Sequence, residues 1–230
     1  MIQFYFHPSP NPMKVALFLE ESGLPYELVP VDTRKGEQHD PKYTAINPNA
    51  KTPSLIDGDV VVFDSSAILL YLADQTGKYL PENTPKERAK MYSWLMFVAS
   101  GIGPYSGQAA HFKHFAPESI QYAINRYDFE AWRHWEIINK QLSKSPYMLG
   151  NTYTIIDMAV WGWARLLPFI LGDTAWEKLP NLKRLIDEIN ARPAAQRAEA
   201  LKDSHAFKSE MDEQARKAMF PQNENLTTPH

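Results

Sequence analysis

Residues 47–72 read NPNAKTPSLIDGDVVVFDSSAILLYL, and this run decides the fold class. It opens on a turn and a Thr52-Pro53 step, passes through Ser54-Leu55-Ile56, turns at Asp57-Gly58 and continues from Val60 to Phe63. Two short apolar runs around an Asp-Gly pair predict a β-hairpin. Asp64-Ser65 then introduces an apolar stretch from Ala67 to Ala73 that stops at Gly77, which predicts a helix. A residue before proline is held extended. If the Thr52–Pro53 bond is cis, Thr52 can offer its backbone N–H and C=O to a peptide lying antiparallel; the sequence leaves the isomer open. The free N–H groups in the first helical turn favour a carboxylate near Ser65, and Asp64 beside it can take an ammonium. An acid and a helix N-terminus together recognise an amino-acid head. A plain helix cap at Asp64-Ser65 is the competing reading.

Working towards the N-terminus, Ile2 to Phe6 (IQFYF) reads as a short strand. HPSPNP follows as a loop, with Asn11 as a helix cap and Pro12 at the first helical position. Met13, Ala16, Leu17 and Glu20 run at helical spacing until Gly23, and Tyr26 to Val31 alternates as a second strand. The first eighty residues are thus β-α-β, a loop, then β-β-α.

Working towards the C-terminus, Tyr79 to Pro85 reads as a linker with two prolines and no periodicity. Beyond it the pattern is helical: 86–98, 117–142, 155–171 and 179–191 each carry an apolar stripe. Thr154 with Asp157 makes a capping-box pattern, and Pro168 is expected to kink or end its helix. Residues 204–219 suggest a last amphipathic turn or two through Phe207 and Met211, and PQNENLTTPH at the end reads as disordered. The expected division is 1–80 as an α/β domain, 81–89 as linker, 90–203 as an all-helical domain and 204–230 as an extension.

Composition narrows the function. The 230 residues are 44% hydrophobic and 22% charged, as in an ordinary globular protein, and the formal net charge of −3 argues against non-specific nucleic-acid binding. MIQFYFHPSPNP has neither a basic segment nor a long apolar run, so no signal peptide is expected, and no stretch suits a bilayer span. A cytoplasmic location is the expectation, without membrane or nucleic-acid partners. There is no cysteine, which excludes disulfides, thiolate zinc sites and a protein-borne thiol nucleophile. Any sulfur chemistry must arrive with a ligand. His111 and His114 lack an evident third ligand, so no metal is expected; they read as bordering the interdomain pocket.

A β-α-β-β-β-α unit, a Pro-rich linker and a helical remainder, with NPNAKTPSLID, FDSSAILLYL and TIIDMAVW in that order, resemble the cytosolic glutathione transferases. PSPN near the start, GQAAHFKHFAP in the middle and YAINRY after it resemble the bacterial Nu class of that family, the branch related to a yeast regulator of nitrogen catabolism. The resemblance extends to about residue 203. It implies a thioredoxin-like N-terminal domain, an all-α C-terminal domain and a homodimer. It also implies glutathione as co-substrate, with glutathione-dependent disulfide reduction stronger than aromatic conjugation. Two bound glutathione molecules, or one glutathione disulfide, would then supply both thiols.

Residue by residue, the resemblance places Ser9 and Asn11 near the glutathione sulfur, where a hydroxyl or amide donor stabilises thiolate over thiol. Ser9 stands where the class pattern has threonine, and Asp64 where it has the longer glutamate. Gln38 would contact the glycine end and Lys51 pair with a carboxylate there. Thr52, before Pro53, would give the backbone pair, Asp64 with Ser65 would hold the γ-glutamyl head, and Arg126 would reach the second glutathione. Read without the resemblance, Asn11 is an N-cap, Ser9 a loop hydroxyl, Gln38 a polar loop residue and Arg126 a solvated helix residue. Tyr5 reads as core or as supporting the site. Trp94, Trp132, Trp135, Trp161 and Trp163 read mostly as core, and Tyr105 and Phe112 as candidates for a hydrophobic substrate wall. The function classes in play are a glutathione-dependent disulfide reductase, a conjugating transferase or peroxide reductase, and a non-catalytic glutathione-binding regulator. No Asn/Gln-rich extension accompanies the fold, which favours an enzyme.

Overall fold

The computed structural model describes residues 1–225. Strands β1 (Ile2–Phe6), β2 (Tyr26–Pro30), β3 (Ser54–Asp57) and β4 (Val60–Phe63) form one sheet in the order β2-β1-β3-β4. The β1–β2 pair is parallel because α1 (Pro10–Ser22) crosses between them, and the other pairs are antiparallel. Alternation along β1 buries Phe4 and Phe6 completely in the core. The β3–β4 hairpin turns at Gly58-Asp59, one residue later than the sequence suggests. Gly58 takes a left-handed φ of 63° there, which glycine adopts at no steric cost.

Between β2 and β3 the expected loop contains a 3₁₀ turn (Glu37–His39) and the one-turn helix α2 (Pro41–Thr44), started by Asp40, whose carboxylate accepts from the Lys42 N–H. Helix α3 (Ser65–Thr76) follows β4 and closes at Gly77, as the apolar run predicts. Helix α1 begins at Pro10 with Ser9 as its cap residue, two residues before the Asn11-Pro12 start read from sequence. Both dipeptides are cap-plus-proline signals, and the earlier one wins. Asn11 is therefore inside the first turn and is not the N-cap.

The helical part starts with α4 (Pro85–Phe97), whose Thr84 cap accepts from the Glu87 N–H, so the domain begins inside the stretch expected to be linker. A π-turn at Val98–Ile102 leads straight into α5 (Gly103–Ala110), and a second one occupies His111–Phe115. Such bulges re-aim the side chains of a helix and recur at functional sites. Helix α6 (Gln121–Leu142) follows, starting four residues later than expected. The capping box at Thr154 and Asp157 starts α7 (Ile155–Ala164) as predicted. That helix stops ahead of Pro168, which sits in the first turn of the short α8 (Leu167–Leu171). Helices α9 (Ala175–Lys178), α10 (Pro180–Asn190) and α11 (Pro193–Ala200) complete the bundle.

Residues 12–19 of α1 are all buried, because α3 packs on the helix from its own domain while α7 and α11 cover it from the helical domain. This makes α1 the joint between the two domains, and it carries the PSPN segment into that joint.

The C-terminal extension is more structured than its composition suggests. After α11 the chain returns to the sheet domain and forms α12 (Glu213–Met219). Arg34 Nη1 donates to the carbonyls of Lys208 (2.9 Å) and Ser209 (2.7 Å), and the Lys208 N–H donates to the buried Asp32 (2.7 Å). The Phe207 ring packs on Phe6 and His7. Of the stretch expected to be disordered, Pro221–Asn225 forms a 3₁₀ turn, and residues 226–230 lie outside the described residues.

Candidate active site

A cleft of about 280 Å³ lies between the domains, with Asn11, Lys14, Lys51, Asp64, Ser65 and Ser66 on the sheet side. Val98, Ala99, Gly103, Pro104 and Trp163 form the helical wall. The first π-turn and the start of α5 supply most of that wall, so the bulge sets its shape. Five of the residues read from sequence meet at this cleft or at the loop beside it: Asn11, Lys51, Thr52, Asp64 and Ser65.

At one end, the Trp163 indole N–H donates to Asn11 Oδ1 at 3.0 Å. This fixes the amide orientation, because its oxygen is engaged and its NH₂ group has no acceptor among the described residues. A donor is thereby presented in the cleft, as stabilisation of a thiolate requires. Ser9 lies two residues back with extended backbone; its hydroxyl makes no capping bond and does not line the cleft.

Beside the cleft, the Thr52–Pro53 peptide bond is cis, the isomer under which Thr52 can present its backbone. The loop before it is pinned from below. The Lys51 carbonyl accepts from the Tyr43 hydroxyl at 2.7 Å and from Asn47 Nδ2 at 2.6 Å, and Tyr43 also bonds the Ser54 hydroxyl at 3.0 Å. Tyr43 and Asn47 are buried, and neither stands out in the sequence. The Lys51 side chain stays exposed and borders both this cleft and a neighbouring hollow lined by His111 and Phe220.

At the other end stands Asp64. Its Oδ1 accepts from the Ser66 (2.8 Å) and Ala67 (3.2 Å) N–H groups, which is a helix cap, and Oδ2 accepts no hydrogen bond among the described residues. Its backbone has φ 72° and ψ 126°, an uncommon conformation for a residue with a side chain and costly by roughly 1–3 kcal/mol. Such strain persists where the surroundings impose it, here through the double cap. Ser65 is buried beside Asp64, and the Ser66 hydroxyl is buried without a partner. Lys14 reaches the same place from α1, only 2% exposed, with Nζ 3.3 Å from Ser65 Oγ. Burial lowers its pKa to about 8, opposed by the nearby Asp64 charge.

Other sequence candidates stand elsewhere. Gln38 is buried under α12, where Nε2 donates to the Ala218 carbonyl at 3.0 Å and Oε1 has no partner; it does not line the cleft. Arg126 is exposed on α6, where its charge helps Arg133 hold the Glu130 carboxyl below its usual range. Tyr5 packs on Tyr43, in a supporting position. Tyr105 packs on His134, and Phe112 stacks on Tyr127, so neither forms the helical wall. His111 borders the neighbouring hollow, whereas the His114 ring bonds the Phe169 carbonyl. Among the described residues no group of three or more His, Cys, Asp or Glu side chains could hold a metal ion, and no helix is long and apolar enough to cross a membrane. Sequence reasoning missed Lys14 and assigned Trp163 to the core. Lys14 did carry a signal: it is the single charge in the apolar run PMKVALFL.

Residues 1–74 match the glutathione S-transferase N-terminal domain, and residues 125–197 match the C-terminal domain. Disulfide-bond oxidoreductase YfcG of Escherichia coli K12 is 42% identical over 205 residues, covering 86% of this chain and 94% of the relative. Disulfide-bond oxidoreductase YghU of the same organism is 36% identical over 214 residues, covering 85% and 73%. A Pseudomonas fluorescens glutathione transferase family member solved with two glutathione bound superposes with a TM-score of 0.82 at 35% identity, over 86% of this chain and 92% of that one. A Pseudomonas putida glutathione transferase with one glutathione disulfide bound per subunit gives 0.80 at 30% identity, over 86% and 90%. With both of its domains matched and relatives aligned along most of its length, the chain belongs to the glutathione S-transferase family.

Proposed function

We propose that this enzyme reduces disulfides with glutathione, using two glutathione thiols in one site. The observation that carries this reading is the pairing of a cysteine-free chain with a cleft that presents the free Asn11 amide donor. The thiolate of one glutathione attacks the substrate disulfide, forming a mixed disulfide and expelling one substrate thiolate. The second glutathione attacks the glutathione sulfur of that mixed disulfide, forming glutathione disulfide and releasing the other substrate thiolate. Two protons from the glutathione thiols end on the product thiols, so no protein sulfur is consumed.

In this reading Asn11, with Ser9 behind it, lowers the effective pKa of the attacking thiol. Thr52, before Pro53, pairs with the cysteinyl backbone of glutathione, and Lys51 with its glycyl carboxylate. Asp64 Oδ2 takes the γ-glutamyl ammonium, and Ser65 with the start of α3 takes the α-carboxylate. Gln38 joins the glycine end only after the α12 contact opens, and Arg126 serves the second glutathione in a homodimer. The relatives named disulfide-bond oxidoreductases and the structures holding two glutathione or a glutathione disulfide support the same chemistry.

The test is glutathione-dependent reduction of bis(2-hydroxyethyl) disulfide, coupled to glutathione reductase and followed by NADPH loss. A rate clearly above the uncatalysed background, reduced in Asn11→Ala, is expected. Glutathione binding without such a rate would overturn the reductase reading and leave conjugation, peroxide reduction or a regulatory role.

A further inference from the structure

Lys14 is the least expected side chain in the cleft. Its aliphatic stem runs through the apolar joint between α1 and α7, where a methionine or leucine would ordinarily sit. The ammonium has one hydrogen-bond partner among the described residues, the neutral Ser65 hydroxyl at 3.3 Å. Asp64 acts on it through space, but Oδ1 of that carboxylate is already committed to two backbone N–H groups. A buried ammonium carries three donors and needs an anion or several acceptors to offset its desolvation. Here the protein supplies one, and Lys14 still lines the cleft.

The helical domain packs closely on this side chain. A Cβ at Gly162 would lie 2.4 Å from Lys14 Cγ and 2.6 Å from the Pro10 carbonyl oxygen, so this approach of α7 to α1 requires glycine. A serine next to an ammonium is also oriented by it. With its lone pair accepting from Lys14, the Ser65 O–H is left to donate outward. The unpartnered Ser66 hydroxyl lies at the same end of the cleft.

We infer that Lys14 is the buried counter-charge for the α-carboxylate of the γ-glutamyl residue of glutathione, binding it directly and aiming the Ser65 hydroxyl at it. The inference rests on the γ-glutamyl reading of this end of the cleft. It divides the head group between two charges: Asp64 takes the ammonium and Lys14 the carboxylate. Ser65 and the start of α3 then add direction to a site whose attraction is ionic.

The experiment is calorimetric titration of wild type and Lys14→Met with glutathione and with 4-aminobutyryl-cysteinylglycine, which lacks only the α-carboxylate. Wild type is expected to prefer glutathione by roughly ten- to a hundredfold, the range of a charge-assisted contact. Lys14→Met should lose about that factor for glutathione and keep the wild-type affinity for the analogue. Equal weakening towards both ligands would mean that Lys14 only supports the fold, and unchanged glutathione affinity would also overturn the inference. A wild type that does not distinguish the ligands would sink the γ-glutamyl reading itself, and the Lys14 role with it. Should Lys14→Met fail to fold, wild-type protein with isotopically labelled lysine side chains decides the matter. The Lys14 ε-methylene resonance should move on adding glutathione and stay in place with the analogue; equal movement with both, or none with either, would refute the role.

Discussion

Replacing Asn11 by aspartate changes one functional group in the cleft and almost nothing in its shape. The Trp163 N–H still has an oxygen to donate to, so the side chain should keep its position. What changes is the free end, where an amide donor becomes a carboxylate oxygen. Two effects then act in the same direction on a glutathione thiol held there. Loss of a hydrogen bond to a charged sulfur costs roughly 1.5–3 kcal/mol, which raises the thiol pKa by about one to two pH units. A carboxylate about 4 Å from a thiolate at a protein-surface dielectric adds repulsion on the order of 4 kcal/mol, although protonation of the aspartate can relieve part of it. The expected result is a thiol midpoint raised by at least about one pH unit, read from the ultraviolet absorbance of the bound thiolate across a pH series. Turnover at neutral pH should fall at least about tenfold, while glutathione affinity at low pH, where the thiol is neutral, changes little. Asn11→Ala, which removes the donor without adding charge, should fall between the two. A midpoint unchanged in Asn11→Asp would refute the assignment of Asn11 to the sulfur.

Two further predictions follow from buried titratable groups outside the cleft. His7, packed against Phe207, has its pKa lowered to about 4 by burial, with Asp32 opposing and Arg34 adding to the shift. The unfolded chain takes up this proton below about 6.5 and the folded chain only below about 4, so stability is lost as pH falls through that window, by up to roughly 3 kcal/mol. Urea melts of wild type and His7→Gln between those limits should converge with acidification; parallel curves would remove His7 as the cause. Asp157 accepts from the Met148 N–H (2.8 Å), the Thr154 N–H (2.8 Å) and the Thr154 hydroxyl (3.1 Å), all buried. Asp157→Ala strands these donors and should cost roughly 2–4 kcal/mol in denaturant unfolding with unchanged slope, Asp157→Asn about half; a loss below about 1 kcal/mol would contradict the capping account.

The parts of the fold that were legible in the sequence are those where one local signal has no rival. The Asp57-Gly58 turn, the Gly77 stop and the Thr154–Asp157 box each place their element within a residue or so. Where two signals compete, the sequence could not choose. Ser9-Pro10 and Asn11-Pro12 are both acceptable helix starts, and selection of the first turns Asn11 from a cap into a side chain aimed at Trp163. Gln38 shows a different limit. Its surroundings are set by Ala218, 180 residues later, in a polar segment whose docking depends on backbone carbonyls that sequence composition does not register. Phe207 and Phe220 are the only large aromatic anchors of that segment, too few to produce a periodic stripe. Lys14 was hidden for the opposite reason: an amphipathic pattern treats a lone cation in an apolar run as noise, whereas burial makes it the most informative residue there.

The two ends of the cleft are linked through adjacent residues of one helix. On α7, Trp163 holds Asn11 with a hydrogen bond, and Gly162 admits the stem of Lys14 by having no Cβ. Asn11 and Lys14 are three residues apart on α1, so they share a face and are separated by roughly 4.5 Å along the helix axis. The spacing between the proposed sulfur donor, Asn11, and the proposed carboxylate cation, Lys14, is thus fixed by helical pitch. No flexible loop sets it. Only Lys51 and Thr52 come from a loop, and that loop is held by Tyr43 and Asn47. The helical domain therefore does more than close the cleft. By gripping α1 through one donor and one missing methyl group, it sets the distance between the two groups proposed to hold the thiol and the head of glutathione.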